Sequence, residues 1–179
     1  MMIERWLTPN VWSRGREPMQ RVLGVALHWY GKPGQSAWDV WRYFDALAGP
    51  QYASAHFVVD AETVLHAVPV DEIAYHAGPM QETTPEARER WGDYPNAHLV
   101  GIEMAHDDWA GRIAPATLAK ARMLCAWLCW RFDLNPMSDI VRHFDVTGKL
   151  CPRWFVTHPD ELDDFRDSVK ATIITAAAA

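Results

Sequence analysis

Short apolar runs, separated by polar stretches that hold glycine and proline, set the pattern of this chain. Residues 22–27 form the first run, and its length and composition predict a buried strand. Residues 31–34, with Gly31, Pro33 and Gly34, end it. Ser36 stands where an N-cap belongs, and Trp38, Trp41, Phe44 and Asp45 follow on neighbouring turns, so a helix is expected to about Leu47. Gly49-Pro50 stops that helix. Residues 55–59 and 63–68 read as two strands joined across Asp60-Ala61-Glu62, a hairpin in character. The polar, proline-bearing stretch 78–96 predicts a long loop, and Leu99–Met104 another short strand. A helix with Pro115 in its first turn is expected to about Phe132. Residues 141–152 read as an irregular loop with polar groups. Residues 158–172 predict a final amphipathic helix, opened by Pro159, Asp160 and Glu161, with a frayed end at residues 176–179.

Strands and helices in this order imply the α/β class: one central mixed β-sheet flanked by helices. One domain is expected over residues 1–179, with its core at about 20–155 and its C-terminal helix at about 158–173. Ligands in such folds bind near strand ends, which directs attention to the residues that close the strands.

Composition narrows the function. With 49% apolar and 22% charged residues the chain is an ordinary globular one, so disorder is not expected. No apolar run reaches the ~20 residues that span a bilayer. Residues 1–21 carry Glu4, Arg5, Arg14, Arg16 and Glu17 among their apolar positions and lack the continuous apolar segment of a signal peptide. A net charge of −6, with no cluster of lysine and arginine, argues against a nucleic-acid partner. Ten tryptophans are many for this length; they suit flat stacking surfaces for sugars or peptides, with core filling as the competing use. Three cysteines, an odd number, give no disulfide framework and fit a reducing compartment. Cys125 and Cys129 share one face of a helical apolar run and read as buried core thiols.

Cys151 has a different setting. It follows His143 by eight residues, in Gly148-Lys149-Leu150-Cys151-Pro152, and His28 closes the first strand. Two imidazoles and a thiolate are a good ligand set for Zn²⁺, and three protein ligands leave the fourth tetrahedral position for water. The ordinary fate of any one histidine is a surface or hydrogen-bonded core position. Glu103 closes an apolar strand, where a carboxylate serves either as a general base with a raised pKa or as a structural partner of an arginine.

Five segments occur in order: His28 at its strand end, Ser54-Ala55-His56-Phe57-Val58-Val59-Asp60, Ala74-Tyr75-His76-Ala77-Gly78, Asn96 with Gly101-Ile102-Glu103, and His143 with Gly148-Lys149-Leu150-Cys151-Pro152. Together they resemble the type 2 N-acetylmuramoyl-L-alanine amidases. That family includes phage and prophage endolysins, muropeptide-recycling amidases and animal peptidoglycan recognition proteins. The resemblance covers residues 22–152. It implies that His28, His143 and Cys151 bind zinc, that Glu103 acts as the base, and that Lys149 lies near the scissile carbonyl. It puts His76 along the substrate groove, where Trp29 and Tyr75 are expected to line the walls. Some members carry a tyrosine where this chain has Ala55, which moves the weight onto Glu103. Leu99 stands where a small polar residue is usual.

The resemblance implies a peptidoglycan or muropeptide substrate. Cys151 fits the endolysin-like branch, because recycling enzymes usually carry aspartate as third ligand. The alternatives are a cytoplasmic recycling amidase and a non-catalytic peptidoglycan-binding module, although such modules typically lack the cysteine. With no signal peptide, the expectation is synthesis in the cytoplasm and action on the wall after release or export by another route.

Overall fold

The computed structural model describes residues 2–78 and 82–177. Among the described residues, six strands form one sheet in the order β1-β4-β3-β5-β2-β6. They are β1 (Met2–Glu4), β2 (Gly24–Trp29), β3 (Phe57–Val59), β4 (Val64–His66), β5 (Leu99–Met104) and β6 (Ile140–Arg142). Only β3 and β4 pair antiparallel, so the sheet is mixed, as the sequence leads one to expect. Asp60 makes the β3–β4 turn: one carboxylate oxygen accepts the N–H groups of Glu62 and Thr63, and the other accepts that of Ala37.

The central strands β2 and β5 alternate sharply. Val25, Leu27, Val100, Ile102 and Met104 belong to a core that includes α3 (Pro115–Phe132) and α7 (Pro159–Ala177), through Leu124, Leu128, Phe165 and Val169. Cys125 and Cys129 are buried in that same core as free thiols. The other face carries Ala26, His28, Leu99, Gly101 and Glu103. There α1 (Ala37–Asp45) covers β3 and β4 through Val40, Trp41 and Phe44. The capping box is present: Ser36 accepts the Asp39 N–H, and the Asp39 carboxylate accepts the Ser36 N–H.

Three stretches differ from the sequence expectation. The segment read as a long loop holds α2 (Pro85–Trp91), capped by Thr84, and a 3₁₀ turn (Pro95–Ala97); residues 79–81 of that expectation lie outside the described residues. The segment read as an irregular loop after Val141 holds the end of β6 and α5 (His143–Thr147). Both were missed for one reason: their apolar contacts are long-range. Ala87 and Trp91 of α2 pack on Leu99, Val141 and Val146, so the helix owes its stability to the sheet and not to a pattern of its own. The same cluster accounts for Leu99, whose side chain is fully buried there. Third, the final helix continues to Ala177; Ala178 and Ala179 lie outside the described residues. Short helices α4 (Pro136–Asp139) and α6 (Arg153–Thr157) complete the fold.

Candidate active site

His28 and Glu103 are register partners on adjacent parallel strands, so both project from the same face at the carboxyl ends of β2 and β5. His143 begins α5, directly after β6. Arg142 and Asp145 fix that entry: the Asp145 carboxylate accepts the Arg142 N–H and its guanidinium. Beyond the helix, Gly148 takes a left-handed conformation and the chain turns back, with the Phe144 N–H donating to the Cys151 carbonyl at 2.9 Å. The turn brings Cys151 to His143.

The three side chains converge. His28 Nδ1 lies 3.1 Å from His143 Nδ1 and 3.8 Å from Cys151 Sγ. All three candidate ligand atoms fall within 4.8 Å of one another, and all three residues are buried. Two nitrogens at ~2.0 Å from a tetrahedral zinc lie roughly 3.3 Å apart, and a nitrogen and a thiolate sulfur roughly 3.5 Å apart. The His28–His143 and His28–Cys151 spacings each fall within about 0.3 Å of those values. Burial holds His28 well below the ordinary imidazole range and lowers His143 to about 3, so both rings are neutral with lone pairs to share. Burial, with Glu103 adding to it, pushes the Cys151 thiol up to about 12; the Trp29 backbone N–H and Lys149 oppose the shift. Such a thiol ionises at neutral pH only with a cation beside it. The donor set therefore fits a zinc ion.

Glu103 stands next to this cluster. Burial raises its carboxyl to about 8, against the opposing pull of Lys149, and its Oε2 is buried without a hydrogen-bond partner. No arginine pairs with it among the described residues. Lys149 itself is exposed and lines the same groove, a cavity of about 460 Å³. Trp29 and Tyr75 form part of the wall. The Trp29 ring packs on His106 and over Gly111, where any side chain would collide with it. The Tyr75 hydroxyl donates to Glu17 at 2.5 Å, so the tyrosine offers the groove its ring.

Two aspects were not legible in the sequence. Tyr52, Gln51 and Pro50 also line the groove, and Trp12 packs on Tyr52 with ring centroids 4.8 Å apart. Tyr52 sits in an irregular segment after the helix-stopping glycine and proline, where no periodicity marks a residue as inward-facing. His76, expected as a substrate contact, lines the groove but has both ring nitrogens bonded inside the protein, to His28 and to the Leu99 carbonyl.

A sheet-end cluster that can hold one divalent cation with an open position, beside an unpaired carboxylate in a groove, is equipped for hydrolysis. Comparison with known proteins adds the family. Residues 18–154 match the family described as N-acetylmuramoyl-L-alanine amidase. The chain is 33% identical over 171 residues to N-acetylmuramoyl-L-alanine amidase BlyA of Bacillus subtilis, covering 93% of this chain and 46% of that protein. It is 30% identical over 177 residues to N-acetylmuramoyl-L-alanine amidase CwlL of Bacillus licheniformis, covering 96% and 47%. Among solved structures, the catalytic domain of XlyA superposes with a TM-score of 0.72 at 22% identity, covering 94% of this chain and 99% of that one. The Staphylococcus aureus hydrolase AmiA in complex with its ligand gives 0.67 at 16% identity, covering 94% and 82%. The chain belongs to the N-acetylmuramoyl-L-alanine amidase family. It spans about half the length of the curated relatives it matches.

Proposed function

We propose that this chain hydrolyses the amide bond between N-acetylmuramic acid and L-alanine in peptidoglycan, with zinc held by His28, His143 and Cys151. The observation that carries the reading is the convergence of those three ligand atoms beside the unpaired Glu103. Bound zinc would polarise the amide carbonyl and acidify water. Glu103 accepts the proton of the attacking water and delivers it to the departing L-alanine nitrogen. Burial favours its protonated form and Lys149 its ionised form, which suits a group that both takes and returns a proton. The Lys149 ammonium reaches over the groove to the developing oxyanion. Trp29, Tyr75 and Tyr52 line the groove, where sugar and peptide lie against them.

The cysteine ligand and the likeness in fold to proteins named as endolysins favour the polymeric wall over soluble muropeptides as substrate. The protein then works as an endolysin or autolysin catalytic domain, reaching the wall by release or by another export route. The test is to digest purified wall and soluble muropeptides side by side and identify products by mass. A new L-alanine amino terminus with a freed muramic lactyl carboxyl is expected, faster from wall. Faster release from soluble fragments selects the recycling reading. Cleavage only of glycosidic bonds, or none by zinc-loaded protein, overturns the proposal.

A further inference from the structure

His76 is held with more care than a groove wall needs. Asn96, fully buried, accepts the N–H groups of both His76 and Ala77, pinning the backbone there. The ring lies flat over β5 at Gly101, where an added Cβ would fall 2.5 Å from His76 Cγ. Gly101 in turn pairs with Ala26, so small residues on two neighbouring strands clear the space for the imidazole. Its Nε2 lies 3.0 Å from the Leu99 carbonyl, and its Nδ1 lies 3.0 Å from His28 Nε2.

These contacts leave one proton arrangement. A carbonyl oxygen only accepts, so His76 Nε2 carries hydrogen. Its Nδ1 faces an imidazole nitrogen and not a carboxylate, and a second proton on this buried ring would leave a charge without a counterion, so Nδ1 is a bare acceptor. His28 Nε2 must then be the donor. A His28 ring that donates through Nε2 has its lone pair on Nδ1, the atom facing His143 Nδ1 and Cys151 Sγ. The chain from the Leu99 carbonyl through His76 to His28 thus exposes the lone pair where a metal would sit.

We propose that His76 is a positioning residue that fixes the tautomer and ring orientation of His28. The inference rests on the reading of His28 as a zinc ligand. Loss of such an outer contact typically weakens metal binding by roughly 10–100-fold. His76 acts on the metal site through His28.

Leucine and asparagine are nearly the same shape, and at position 76 both leave the Leu99 carbonyl without its partner. They differ in whether an acceptor faces His28. Zinc dissociation constants by competition with a chromogenic chelator, and ¹⁵N imidazole shifts of the metal-free protein, separate the cases. His76→Leu is expected to weaken zinc binding by about 10–100-fold and to mix the His28 tautomers, whereas His76→Asn recovers most of the affinity. Melting temperatures of the two variants should match, so an affinity difference between them is not a folding effect. Equal zinc affinity in the leucine and asparagine variants, or His28 protonated at Nδ1 in the metal-free wild type, overturns the inference. Wild-type protein that takes up no zinc refutes the metal reading instead, and the tautomer measurement still decides the role of His76.

Discussion

On one face of β2 and β5 lie Val25, Leu27, Val100, Ile102 and Met104; on the other lie Ala26, His28, Leu99, Gly101 and Glu103. The two sets alternate along the same strands and meet opposite fates. The first packs on α3 and α7 as a wholly apolar layer, where each large side chain contributes ~1.5–3 kcal/mol by leaving water. The second buries imidazoles and a carboxyl, and where it needs room it uses glycine and alanine. A neutral His28 and an unpartnered Glu103 oxygen are unfavourable in folding terms. The contrast indicates a division of labour across a sheet one strand thick: the apolar face supplies stability, and the polar face spends part of it on a site.

Substitutions on the polar face should therefore damage chemistry and spare the fold. Glu103→Ala has the largest expected effect: turnover falls by about 10²–10⁴-fold while zinc content and substrate binding persist. Steady-state rates on a defined muramoyl-peptide, with metal analysis, check this; a wild-type rate removes Glu103 from the mechanism. Lys149→Met keeps the aliphatic stem and removes the charge. A fall in kcat on the order of 10²–10³-fold with little change in KM is expected if the ammonium meets the oxyanion. A raised KM with kcat intact would assign Lys149 to a substrate carboxylate.

The apolar face should answer in the opposite way. Ile102→Ala, one residue from Glu103, is expected to cost about 2–5 kcal/mol of stability by urea unfolding, with zinc affinity unchanged. A variant as stable as wild type but unable to bind zinc would dissolve the contrast between the faces.

Titration of the metal-free protein sharpens it further. Burial depresses His28, His56, His66, His76 and His143 below 6.5, so below that pH the unfolded chain takes up protons the folded one refuses, and stability falls as pH falls. Glu103 works in reverse. Its pKa is raised from 4.5 to about 8, so across that window the folded state keeps a proton the unfolded state has lost, and stability falls as pH rises. Five histidines outweigh one carboxyl up to about pH 7, and above it Glu103, joined by the buried thiols, sets the slope. Urea midpoints at pH 5, 7 and 9 should therefore peak near about 7, with the alkaline decline reduced in Glu103→Gln. A monotonic rise from pH 5 to 9 would contradict these environments.

The strands that carry His28 and Glu103 were legible because they are short and apolar, so their last polar residue stands out. Helix α1 announced itself through its Ser36 cap, and α3 and α7 through a proline in the first turn. The rest depends on distant partners. Strand β6 is three residues long and exists by pairing with Val25, Ala26 and Leu27. Helix α5, which presents His143, is one short turn-rich segment held by Arg142 and Asp145. The role of His76 is least visible, because it resides in the orientation of a ring over Gly101 and in a backbone carbonyl, neither of which a one-dimensional pattern records.

The central claim is that His28, His143 and Cys151 make one metal site. Chelator-stripped protein titrated with Co²⁺ tests it through the sulfur-to-cobalt charge-transfer band. One equivalent of cobalt per chain is expected, with a thiolate band that disappears in Cys151→Ser and persists in Cys125→Ser. No thiolate band in the wild type, or an unchanged band in Cys151→Ser, would contradict it.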